Sequence, residues 1–169
     1  MKVGIIPGAF KPPHKGHFLA AQKAADENDM VYILISSKER DGITGKQSYD
    51  VWDTYRNELT NIIPIICKVT PVRDTYEMIE EWNADSNYHH YQISLYADKE
   101  DQDRFKSISK YSGNLKSVIL KESERVLSGT LVREHLSQGI IENLQNDFPP
   151  QFNLNNILKL LNVTCTISA

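Results

Sequence analysis

His14 and His17 stand three residues apart at the end of the stretch Gly8-Ala9-Phe10-Lys11-Pro12-Pro13-His14-Lys15-Gly16-His17. That spacing puts two imidazoles on one face of a helical turn. Residues 2–6, before the stretch, are mostly apolar, and residues 18–28, after it, are Ala-rich. The pattern predicts a strand, a tight turn and a helix. Gly8 lets the chain leave the strand at an angle that a side chain would forbid. Pro12 and Pro13 have fixed φ and no N–H to lose, which suits the approach to a first helical turn. Two imidazoles and several unpaired main-chain N–H groups then converge at a helix N-terminus. The orphan N–H groups and the helix dipole both favour an anion there, and phosphate suits the place. Lys11 either adds positive charge at the mouth of the turn or is an ordinary solvated lysine.

A second stretch, Leu127-Ser128-Gly129-Thr130-Leu131-Val132-Arg133, has similar potential. Ser128 and Thr130 are capping residue types just ahead of an apolar helical pattern. Gly129 permits close approach of the main chain. Arg133, one turn past Thr130, can offer a phosphate two parallel hydrogen bonds. By themselves, these residues also describe an ordinary capped helix with a surface arginine.

Gly8, Phe10, Pro12, His14, Gly16 and His17 fill all six specified positions of the pattern G-x-F-x-P-x-H-x-G-H. The stretch resembles that motif of the nucleotidyltransferase superfamily. The superfamily includes adenylyltransferases for nicotinamide mononucleotide and phosphopantetheine, and cytidylyltransferases for glycerol phosphate and choline phosphate. There is also a general likeness to small members from tailed phages. Ser128, Thr130 and Arg133 match the second motif of the superfamily, I-S-S-T-x-I-R. Leu127 and Val132 replace isoleucines, and Gly129 departs from the second serine. The two motifs span residues 8 to 133, so the likeness covers most of the chain.

The resemblance implies a reaction. An anionic acceptor attacks the α-phosphate of a nucleoside triphosphate, and pyrophosphate leaves. His14 and His17 would contact the triphosphate and stabilise the five-coordinate transition state. The N–H groups around Ala9 and Phe10 would hold phosphate oxygens, and Gly16 would leave room for base or ribose. Ser128, Gly129 and Thr130 would meet the nucleotide, with Thr130 at the leaving phosphates and Arg133 on the β- and γ-phosphates. Asp98 falls where the superfamily often has an acidic residue near the ribose, although Tyr96-Ala97-Asp98 lacks the usual glycine. An acceptor that is already a phosphate needs no general base, so the site must mainly align groups and neutralise charge. A Mg²⁺ carried by the triphosphate is expected, with no dedicated protein metal site. AMP from ATP is slightly preferred, because the compact chain and full His-x-Gly-His setting resemble the adenylyltransferase branch. CMP from CTP is the close alternative.

The elements that position these residues follow from the hydrophobic pattern. Residues 30–35 form a second buried strand, so the first helix completes a βαβ unit with a right-handed crossover. Residues 36–46 form a polar loop after that strand, where ligands of open α/β sheets bind. Lys38, Arg40 and Lys46 in this loop are candidates for an acceptor phosphate or are simply solvated. Residues 47–59 predict a helix. A third strand is expected at 65–69, placed after Pro64 because proline rarely sits inside a central strand. A helix at 75–82, a strand at 91–97 and a charged, exposed helix at 98–109 follow. A fifth strand at 117–120 precedes helices at 130–138 and 140–146. Five strands alternating with helices predict a doubly wound parallel α/β sheet. The resemblance adds the order 3-2-1-4-5, with the site over strands 1 and 4. Residues 1–147 would form this domain. Residues 148–169 would form a C-terminal extension, with a helix at 153–161 and a frayed tail from 162.

The chain has 169 residues, formal charge -3 and two cysteines. It is long enough for one sizeable core. Its charge argues against a bulk nucleic-acid binder, so a phosphorylated substrate must be met by local cations. Cys67 and Cys165, few and far apart, suit reduced thiols and a cytoplasmic protein. No apolar run reaches membrane-spanning length. His89-His90 reads as a surface pair, Cys67 as core, and Trp52 and Trp82 as packed under their own helices. Homo-oligomers are common in the superfamily, but no stripe of this sequence marks an interface. A nucleotide-binding protein without turnover is an alternative of another class. A class I aminoacyl-tRNA synthetase fragment is a weaker one, since the chain has no Lys-Met-Ser-Lys-Ser signature.

Overall fold

The computed structural model describes residues 1–124 and 126–165. Five parallel strands form one sheet in the order β3-β2-β1-β4-β5. They are β1 (Lys2–Gly8), β2 (Met30–Ile35), β3 (Ile62–Ile66), β4 (Gln92–Ala97) and β5 (Ser117–Glu122). The helices are α1 (Lys15–Glu27), α2 (Gly45–Tyr55), α3 (Pro71–Ala84), α4 (Gly129–Gln138), α5 (Ile141–Leu144) and α6 (Leu154–Leu160). This is the doubly wound architecture that the alternating pattern predicts, in the strand order that the resemblance implied. The chain reverses its direction of travel across the sheet between β1 and β4. Open sheets form their ligand crevice at that switch, beyond the C-terminal strand ends.

Strand periodicity divides the core between the two faces of the sheet. Ile6, Val31, Ile33 and Ile35 face one layer, with Phe18 of α1, Trp52 and Tyr55 of α2, and Val132 of α4. Val3, Ile5, Leu34, Ile93 and Leu95 face the other, with Ile79 and Trp82 of α3. Trp52 and Trp82 are therefore core residues, and Cys67 is buried with them. Phe148, Ile157, Leu158 and Leu161 belong to the first of these cores, and Val163 and Cys165 pack against it. The tail expected to fray is thus packed as far as residue 165. Its last part, 166–169, lies outside the described residues.

Two expectations are corrected. The third strand runs over Ile62–Ile66, not 65–69, and Pro64 is paired in register with Ile33. β3 is an edge strand, so the missing N–H of Pro64 takes nothing from a second neighbour. The amides of Lys68 and Val69, expected in the strand, instead donate to the Asp74 carboxylate at 2.7 and 3.0 Å. Residues 98–109 form no exposed α-helix. They make two short 3-10 turns, Gln102–Phe105 and Ile108–Tyr111, which bury Phe105 and Ile108.

Candidate active site

The first turn of α1 is built by the two histidines themselves. His14 is the N-cap, and its Nδ1 accepts from the amides of Gly16 at 3.0 Å and His17 at 3.4 Å. His17 Nδ1 accepts in return from the His14 amide at 3.2 Å. Imidazoles thus occupy both places of a capping box, where Ser and Glu usually stand. The rings stack with centroids 3.7 Å apart. Main-chain N–H groups only donate, so each Nδ1 must be an acceptor. A neutral ring then carries its hydrogen on Nε2. The cap therefore selects the tautomer that can donate to a phosphate oxygen.

The loop before α1 is folded so that its carbonyls are tied back into the protein. Lys11 Nζ donates to Ala9 O and to Ser36 O, each at 2.7 Å. The Phe10 carbonyl accepts from Ser48 Oγ, the Lys11 carbonyl from Arg133 Nη1 at 3.0 Å, and the Pro13 carbonyl from Tyr55 OH at 2.7 Å. Engaging these oxygens lowers their repulsion of an incoming anion. Phe10 takes a left-handed conformation, with φ 53°. Its ring is buried edge-on against His17 and Trp52. Phe10 is thus a wedge beneath the site, and its ring is no platform for a base.

The motif glycines answer to these rings. A Cβ on Gly8 would lie 2.7 Å from the tip of the Phe10 ring. Gly8→Ala should cost about 1–3 kcal/mol by overpacking, read as a lower midpoint in urea unfolding. An unchanged midpoint would contradict the wedge. A Cβ on Gly16 would lie 2.9 Å from His14 Cε1. The space Gly16 leaves is taken by the His14 ring, a reason that motif spacing did not suggest.

Lys11 is not a solvated lysine. It is 2% exposed, and burial brings its ammonium down from 10.5 to about 8. Because the folded-state value lies below the unfolded one, folding expels a proton between these pH values. Its charge therefore costs most stability below about pH 8, and the cost is relieved as pH rises towards 10.5. The stability of the wild type relative to Lys11→Met should rise from pH 7 to pH 10 in paired urea titrations. A difference that falls with pH would overturn the assignment.

At the other side of the cleft, Ser128 caps α4, accepting from the Leu131 amide. Arg133 spans the gap between the two motifs. Besides the Lys11 carbonyl, its Nη2 donates to Thr130 Oγ1 at 3.3 Å and its Nε to Asp41 Oδ2 at 2.9 Å. A Cβ on Gly129 would lie 3.1 Å from Arg133 Nη1, so glycine at this position gives the guanidinium room.

These residues enclose a cleft of about 400 Å³. Gly8, Ala9, Phe10, Lys11, His14, Gly16, His17, Arg40, Asp98, Ser128, Gly129, Thr130 and Arg133 all line it. Lys38 and Lys46 do not; Lys46 is exposed and paired with Asp50 at 2.6 Å. A second cleft of about 480 Å³ adjoins the first. It shares Pro7, Gly8, Ala9, Ala97 and Asp101 with the first, and adds Ser36, Arg104, Phe105 and Thr70-Pro71-Val72 at the N-terminus of α3. None of the three basic loop candidates lines this second cleft. His89 and His90 lie at the opposite end of the sheet, just before β4. His89 Nε2 sits 2.8 Å from Asn83 O. Among the described residues, no group of three or more His, Cys, Asp or Glu is placed to hold a metal ion. No helix there is long and apolar enough to cross a membrane.

Solved structures share this fold over nearly the whole chain. A nicotinate-nucleotide adenylyltransferase by assignment, from Vibrio parahaemolyticus, superposes with TM-score 0.63 at 17% identity, covering 95% of this chain and 98% of that one. Plasmodium falciparum nicotinic acid mononucleotide adenylyltransferase, solved with APC, gives 0.67 at 12% identity, covering 95% and 96%. The chain shares the fold of these two structures. Among curated sequences, a probable nicotinate-nucleotide adenylyltransferase of Nitratiruptor sp. is 46% identical over 35 residues, 21% of this chain and 20% of that protein. One of the same name from Shouchella clausii is 39% identical over 57 residues, 30% of each. The chain thus aligns with less than a third of the length of either relative. No protein-family model matches the chain.

Unheralded by either motif are Ser48, Tyr55, Asp41 and Arg104. Ser48 and Tyr55 lie on the buried face of α2, where a helical pattern signals packing and hides their bonds to the turn. Asp41 has φ 50° and precedes Gly42 at φ 82°, so the Asp-Gly pair was a legible turn, but its reach to Arg133 was not.

Proposed function

We propose that this protein is an adenylyltransferase that moves AMP from ATP to a pyridine mononucleotide, with nicotinate mononucleotide the first acceptor to try. The observation that carries this reading is the stacked, reciprocally capped His14–His17 pair facing a cleft shared with Thr130 and Arg133. ATP lies in the first cleft, with its α-phosphate at the turn. Nε2–H of the two histidines and the amides near Ala9 and Phe10 meet the phosphoryl oxygens, where negative charge builds during transfer. Thr130 and Arg133 hold the β- and γ-phosphates. The acceptor lies in the second cleft, with Arg104 and the N-terminus of α3 available to its anionic groups.

Because the two clefts meet at Gly8 and Ala9, the acceptor phosphate approaches the α-phosphorus from the second cleft. Its oxygen forms the new P–O bond, and the bond to the β-phosphate breaks. Pyrophosphate leaves towards Arg133. A Mg²⁺ carried by the triphosphate would offset charge on the leaving group. The relatives' names support the choice of ATP and of a pyridine mononucleotide.

Thermal shift with MgATP and with MgCTP tests the donor. Ligand bound to the native state raises Tm as RT ln(1 + [L]/Kd) grows. A shift with ATP and none with CTP is expected. A shift with CTP alone would replace the adenylyl donor by a cytidylyl one.

A further inference from the structure

Asp147 lies outside both motifs and outside both clefts, yet it is a buried carboxylate at 3% exposure. Its side chain and its main chain reach two different helices. Oδ2 lies 2.6 Å from His135 Nδ1, in the last turn of α4. Its carbonyl accepts from the amide of Lys15, the first residue of α1, at 2.8 Å. An ionised carboxylate can only accept, so the hydrogen of the first bond sits on His135 Nδ1. The two helices joined here carry, towards their N-terminal ends, the four side chains proposed above as ligands of the triphosphate. α1 brings His14 and His17; α4 brings Thr130 and Arg133.

We propose that Asp147 is a positioning residue for the nucleotide site, clamping α1 and α4 at the spacing that lets both first turns grip one triphosphate. This rests on the reading of the first cleft as the triphosphate site. A buried carboxylate is costly unless it is paired, and apolar packing could have filled the place. What the carboxylate adds is a directional tie to α4 at a residue whose carbonyl already caps α1. Loss of that tie leaves the sheet intact and lets the first turns drift. Drift of a fraction of an ångström weakens a ligand held from both sides while sparing one held from the second cleft alone.

The test is calorimetric binding of MgATP, and of nicotinate mononucleotide, to wild type, Asp147→Ala, Asp147→Asn and His135→Ala. Asp147→Ala and His135→Ala should each weaken MgATP roughly tenfold or more and leave the mononucleotide within about twofold. That contrast corresponds to roughly 1.4 kcal/mol on one ligand only. Asp147→Asn keeps an oxygen for the His135 N–H and should restore MgATP affinity to within about threefold of wild type. If Asp147→Ala does not fold, His135→Ala, which keeps the Asp147 backbone contact to α1, carries the comparison. Equal MgATP affinity in wild type and variants overturns the clamp and leaves the adenylyltransferase reading standing. So does equal weakening of both ligands, which marks a general structural role. A wild type that binds no triphosphate overturns the clamp and that reading together.

Discussion

His17→Asn should lower the rate of pyrophosphate release by about 10²–10³-fold while the protein keeps its fold. Asparagine is chosen because its side-chain oxygen can still accept from the His14 amide, as His17 Nδ1 does at 3.2 Å. The cap is thereby largely kept, and what is lost is the second imidazole N–H over the phosphoryl group. Removal of one donor aimed at developing charge has an effect of this size elsewhere, about 2.7–4 kcal/mol. Because the interaction is realised mainly in the transition state, the loss appears in kcat rather than in the KM for ATP. Single-turnover pyrophosphate release by the folded variant is the measurement. An unchanged rate would remove His17 from the chemistry and leave it only a capping residue.

Arg133→Lys should weaken MgATP binding roughly 30–150-fold, about 2–3 kcal/mol. The guanidinium side chain is only 10% exposed and is held from three sides, by Asp41, Thr130 and the Lys11 carbonyl. Lysine has a point charge and a flexible stem, so it cannot keep those three anchors and also offer two parallel N–H groups to a phosphate. The Asp41 contact itself adds little, since that carboxylate is 69% exposed and solvent screens it. The weakening should therefore persist in Asp41→Asn/Arg133→Lys, at the same size. Equilibrium binding of MgATP in the two backgrounds decides it. Unchanged affinity in Arg133→Lys would place the β- and γ-phosphates elsewhere.

Much of this arrangement was legible in the chain, and the reasons are physical. The strand–turn–helix at residues 2–28 was readable because Gly8 and the two prolines punctuate a clean change of hydrophobic period. The alternation of strands and helices led to the doubly wound sheet, and the order β3-β2-β1-β4-β5 came from the resemblance. Pro64 misled because the rule that keeps proline out of central strands does not bind an edge strand, and β3 lies at the edge. Residues 98–109 misled because their charge masked the two apolar residues, Phe105 and Ile108, that the short 3-10 turns bury. Within the cleft, residue types showed where an anion could sit but not what holds the holders. That Lys11 turns inward onto Ala9 and Ser36 depends on two strand ends meeting. Gly16 makes room for the His14 ring, a contact that motif spacing does not show. The basic loop showed the limit most plainly. Arg40 reaches the first cleft, whereas Lys38 and Lys46 point into solvent, and charge alone could not separate them.

The measurement closest to the central claim is pyrophosphate release on mixing the wild-type protein with MgATP and nicotinate mononucleotide, with the nucleotide product identified by mass. The account predicts one pyrophosphate for each dinucleotide formed, and neither product when the acceptor is left out. If neither nicotinate mononucleotide nor its amide supports release from ATP, although ATP binds, the claim of adenylyl transfer to a pyridine mononucleotide is contradicted.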